Sequence, residues 1–206
     1  MLAAHLRQAR GACGLTYDEL STQAGVSPAT LKRAASTAGR VAPRRVVERY
    51  AGACGSPGRP AEELVASAVR LWKRARYAEA RPGRNYEHPR PEYIHDWRDY
   101  SGRLRDLHAC AGLPSAQDLE DRAGGMGLLP HSTAHRIVIA RSVPTTVQQL
   151  ESFLRACEEF PSQYVLWRGA LAKCLAGGSP TSFDLRREQV PARTGDRRRP
   201  VLAMAG

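Results

Sequence analysis

Residues 16–36 read TYDELSTQAGVSPATLKRAAS, and this stretch sets the reading of everything around it. Thr16 can cap a first helix, with Glu19 three residues on, the spacing of a capping box. Leu20 and Ala24 fall four apart, on one face of that helix. Gly25 follows, where a left-handed turn is cheap only without a Cβ. Ser27 caps a second helix, and Pro28 takes its first position, where a missing N–H leaves no bond unmade. The spacing predicts that Leu31 and Ala34 point inward and that Pro28, Ala29, Lys32, Arg33 and Ser36 point outward.

Two short helices about a glycine turn form a helix-turn-helix pattern. The stretch resembles the DNA-binding motif of Xre-type, phage-repressor-like transcription regulators. The residues that carry the resemblance are the small Ser21, the core pair Leu20 and Ala24, Gly25 at the turn, Val26 after it and Leu31 in the second helix. A plain helical hairpin in another all-α protein is the competing reading, because the pattern is short. The resemblance implies that the helix Ser27–Ser36 enters the major groove of double-stranded DNA. Ser27 would open that helix, and Pro28, Ala29, Lys32 and Arg33 would face base edges. Arg33 suits guanine O6 and N7, and Ala29 suits a thymine methyl. Thr16 and Tyr17 would touch phosphate at the start of the preceding helix, and Arg40, Arg44 and Arg45 would clamp the backbone.

Charge agrees with such a partner. The 206 residues carry 31 Lys and Arg against 20 Asp and Glu, a net +11 with a pI near 10.0. A balance this basic points to a polyanion, nucleic acid before membrane. All but Lys32, Lys73 and Lys173 of the cations are arginine, a skew that with abundant Ala and Gly also fits a GC-rich bacterial genome. Five scattered cysteines form no CxxC pair, and an odd number cannot complete a disulfide framework. No signal peptide or long apolar run appears, so the expected compartment is the cytoplasm, at the nucleoid.

The remaining chain reads as more helices. Leu2–Ala12 has an inner stripe of Leu2, His5, Leu6 and Ala9; Pro43 opens a fourth helix; Pro60–Ala80 is a fifth, with Trp72 as its anchor. Residues 81–100 hold prolines, tyrosines and cancelling charges, and read as a linker or docking segment whose aromatics partly pack. Then the pattern returns. RLRDLHACAGLPSAQDLEDRAG resembles HLRQARGACGLTYDELSTQAG, and LPHSTAHRI resembles VSPATLKRA. Val26 and Leu129 lie 103 residues apart, as do Cys54 and Cys157. The expected fold is therefore all-α: two tandem five-helix, lambda-repressor-like modules at 1–80 and 101–176, then a basic, disordered tail at 177–206.

The modules are not equivalent. Residues 1–80 carry +7, residues 101–176 only +1, the linker 0 and the tail +3. In the second motif Glu120 stands in place of Ser21, acidic residues crowd the first helix, and four extra residues lengthen the turn, so a splayed helix pair is expected. His131, Ser132, His135 and Arg136 could still contact DNA. His131 and His135 have metal-compatible spacing but no third ligand with matching spacing, so no metal is expected. No phosphate loop, nucleophile elbow or acid–base pair appears, so neither catalysis nor a cofactor is expected, and no pattern marks a small-molecule ligand. Two DNA-binding readings follow, a bacterial transcription regulator or an architectural protein of a mobile element, with a homodimer or RNA polymerase as further partners. The rival is a helical adaptor for a protein partner.

Overall fold

The computed structural model describes residues 1–125 and 127–180. Its helices are α1 (Leu2–Cys13), α2 (Tyr17–Ala24), α3 (Pro28–Ala34), α4 (Arg44–Ala53), α5 (Ala61–Ala80), α6 (Trp97–Cys110), α7 (Ala116–Arg122), α8 (His131–Val138), α9 (Val147–Ala156) and α10 (Tyr164–Ala176). Short 3-10 turns at Pro91–Tyr93 and Pro161–Gln163 precede α6 and α10. Among the described residues no strand forms, so the chain is all-α as the periodicity predicts. No helix among them is long and apolar enough to cross a membrane.

The apolar stripes close two cores. α1–α5 surround Leu6, Leu20, Leu31, Val47, Tyr50 and Leu64, and Trp72 of α5 closes one side. α6–α10 surround Leu104, Leu119, Leu129, Ile137, Phe153 and Trp167. The buried registers coincide at the offset of 103: Leu31 and Ala34 in α3 are buried, as are Ala134 and Ile137 in α8. Both Cys54 and Cys157 are buried where α4 and α9 end. Burial pushes the Cys54 thiol up to about 12 and those of Cys110 and Cys174 to about 11, so they sit protonated as small core residues.

The segment read as a linker is more ordered than its prolines suggest. α6 starts at Trp97, because the Asp96 side chain caps it by accepting from the Asp99 amide at 2.7 Å. Ile94 and Tyr100 are fully buried in the second core. The Tyr86 hydroxyl donates to the Cys110 carbonyl at 3.1 Å, and its ring meets Tyr77 edge-on. The linker therefore ends near residue 96 rather than 100. The tail expected from Gly177 lies outside the described residues from position 181.

Several contacts among the described residues join the halves. Arg81 at the end of α5 pairs with Asp106 of α6 at 2.5 Å. Glu158, just after α9, faces Arg44, Lys73 at 2.8 Å and Arg122 at 3.3 Å. Gly112, at φ 88°, lies so close to Trp72 that a Cβ there would stand 2.3 Å from the indole ring. Trp72 thus serves both halves, and its indole N–H donates to the Ala42 carbonyl at 2.8 Å.

Candidate nucleic-acid interface

The α2–α3 pair is set by local chemistry. Thr16 and Glu19 form the full capping box: the Glu19 amide donates to Thr16 Oγ1 at 3.2 Å, and the Thr16 amide donates to Glu19 Oε2 at 2.8 Å. These bonds from Thr16 hold the Glu19 carboxyl below its ordinary pKa. Gly25 takes φ 60°, and its amide donates to the Ser21 carbonyl at 2.9 Å. Ser27 Oγ then caps α3 and lies 2.9 Å from Thr30 Oγ1.

α3 rests on the core through Leu31, Ala34 and the adjoining Ala35. Ala29, Lys32, Arg33 and Ser36 are exposed and Pro28 is half-buried, which is the expected split between inner and outer faces. No hydrogen bond or ion pair among the described residues crosses from the second half to this face. Arg33 lies along its own helix, with Nη2 donating to Thr30 Oγ1 at 3.2 Å and Nε to the Ala29 carbonyl at 3.4 Å. Both are exposed and easily exchanged for a base edge or phosphate. Lys32 Nζ stands 5.6 Å from the centre of the Tyr17 ring, with Arg10 at 4.6 Å. Tyr17 therefore orients a cation of the outer face.

Several expected phosphate contacts are placed differently. The Thr16 amide and hydroxyl both donate to Glu19, so neither is free to meet phosphate until Glu19 releases it. Arg44 is not an open clamp: its guanidinium is engaged by Glu48 at 2.7 Å and by Glu158. Arg40 and Arg45 are exposed beside the α3–α4 loop and remain available.

Three arginines with structural parts were not singled out by the sequence pattern. Arg7 donates to the Ala35 carbonyl at 2.6 Å, at the C-terminal end of α3. Arg10 donates to the Leu15 carbonyl at 2.7 Å. Arg49 of α4 donates to the Gly25 carbonyl at 3.1 Å, bracing the turn itself. Part of the basic excess is thus spent on holding α2 and α3 in place.

In the second half, α7 and α8 follow one another with caps of their own. Ser115 and Asp118 form a capping box on α7, and the bonds from Ser115 lower the Asp118 pKa. Arg155 donates to the Ala123 carbonyl at 3.4 Å, as Arg49 does to Gly25. The expected splay is not observed. Leu119, Ala123, Leu129 and Ala134 are all fully buried, so the pair stays packed. Gly124, Gly125 and Gly127 have φ of 104°, 65° and 73°, left-handed conformations that glycine takes at little cost.

On α8, Ser132, His135 and Arg136 are exposed, at the register of Ala29, Lys32 and Arg33. His131 is exposed too, with Nδ1 3.3 Å from Glu120 Oε2. Glu120, in the place of a small residue, thus bridges the crossing rather than blocking it. Among the described residues no three His, Cys, Asp or Glu side chains cluster as metal ligands.

No curated protein and no solved structure gives a significant match to the chain. The similarity that is found covers the motif just described: residues 1–64 match the family described as helix-turn-helix domain.

Proposed function

We propose that this chain is a sequence-specific double-stranded DNA-binding protein of the Xre type, a bacterial transcription regulator acting in the cytoplasm and without catalysis. α3 is the reading element. Ala29, Lys32 and Arg33 face base edges in the major groove, with Arg40 and Arg45 on the flanking phosphates. The observation that carries this reading is the outer face of α3, cationic and exposed on a braced helix pair. The match of residues 1–64 to the helix-turn-helix domain supports it. α8 makes a second, weaker contact through Ser132, His135 and Arg136, so one chain covers two groove segments.

Selection of bound duplexes from a random pool tests the proposal. A defined motif should be enriched, and affinity for it should fall by about a hundredfold between 50 and 200 mM salt, for about four neutralised phosphates. No retention of any duplex at low salt contradicts the reading. That outcome would favour a helical adaptor, which has one observation of its own: Val165 and Leu166 of α10 are apolar and exposed.

A further inference from the structure

The joint between the two halves is hollowed by a cavity of about 470 Å³, within the size range of small-molecule sites. Its floor is apolar, made by Leu71 of α5 with Leu107 and Ala111 at the end of α6. The rings of Tyr86 and Phe160 stand at its sides. Arg70 and Arg74, both exposed on α5, line its rim.

The charge on this lining is unbalanced. Its one carboxylate, Glu158, is already shared by Arg44, Lys73 and Arg122. Arg70 and Arg74 face no carboxylate among the described residues, and Arg74 instead lies 5.6 Å over the Tyr86 ring. His5, which also lines the cavity, has its pKa lowered by burial and then by Arg59 and Arg70, a sign of a positive local field. An apolar floor with two uncompensated guanidinium groups does not suit a neutral hydrocarbon or a fully hydrated inorganic ion.

We propose that this cavity binds a small organic anion with a planar apolar body. The body lies on Leu71, Leu107 and Ala111, and its carboxylate or sulfonate is held by Arg70 and Arg74. Residues from both halves and from the segment between them build the site, which is why no local sequence pattern marks it. The proposal does not depend on DNA binding.

The test uses the full chain and 8-anilinonaphthalene-1-sulfonate, an aromatic anion with a planar naphthalene body whose fluorescence rises on burial. Saturable binding of one molecule per chain is expected. Arg70→Ala combined with Arg74→Ala should weaken it at least tenfold, the worth of a charge-assisted anion contact. The neutral analogue N-phenyl-1-naphthylamine should bind that variant as it binds the unaltered chain. Leu71→Trp, which fills the floor, should weaken both probes. Phe160→Ala should do the same by removing a wall, and with the residue 69% exposed the core does not depend on it. Unsaturable binding, or sulfonate binding unchanged by the paired arginine substitutions or by Phe160→Ala, overturns the proposal.

Discussion

Glu158 shows how much one residue can decide. It holds φ 56°, a left-handed conformation that favours glycine, and it gathers Arg44, Lys73 and Arg122 onto one carboxylate. Burial opposes its charge, but hydrogen bonds from Lys73 and Arg44 outweigh that, so its pKa lies below the ordinary 4.5. A carboxylate lowered on folding contributes stability above its unfolded pKa and loses it as pH falls through the folded value. Glu158→Gln should therefore lower the urea midpoint at neutral pH, by about 1 kcal/mol for a cluster still partly in water. The two proteins should converge as the pH drops well below 4.5. His108 works in another window. It is buried, its pKa is held below 6.5 by burial, and Nε2 donates to the Pro114 carbonyl at 2.8 Å. The unfolded chain takes up this proton first, so stability falls as pH drops through 6.5 and levels off below the folded value. His108→Gln should make that slope shallower in denaturation curves recorded from pH 7 to pH 5. Gly112 is the steric counterpart: Gly112→Ala meets Trp72 at 2.3 Å and also strains a φ of 88°. It should lower stability by about 2–4 kcal/mol, measured in urea, as overpacking and backbone strain add.

Helices show which kinds of information a sequence displays. α2 and α3 were readable almost residue by residue, because caps, a turn glycine and a buried stripe are local signals. Thr16→Ala should accordingly cost about 1 kcal/mol in thermal unfolding, through the lost cap. Leu31→Ala, at a fully buried position, should cost about 2–5 kcal/mol, by the cavity it leaves. What the pattern could not display is long-range pairing. Arg44 looked like a phosphate clamp because its partner Glu158 is 114 residues away. Arg7 and Arg49 looked like surface charge because the carbonyls they brace belong to another helix. The prolines before α6 hid the cap at Asp96, and the four extra residues in the turn before Leu129 suggested a splay that the packed Leu129 rules out.

At the scale of the whole molecule, charge is divided unequally between the two halves. The first eighty residues hold +7 and residues 101–176 hold +1, while Glu158 draws some of the first body's cations into the joint. A duplex should therefore be gripped through α3, with α8 as an auxiliary contact. His135→Ala combined with Arg136→Ala should then weaken binding less than changes in α3 do. The most direct test is the affinity of the full chain for its selected duplex, measured at one fixed salt concentration, with and without Lys32→Ala and Arg33→Ala. These side chains are exposed and contribute nothing to the core, so the melting temperature should stay put. Affinity should fall about tenfold to a hundredfold, the worth of one or two lost contacts to base or phosphate. A doubly substituted protein that melts normally and binds the same duplex as tightly as before would contradict the assignment of α3 to the groove.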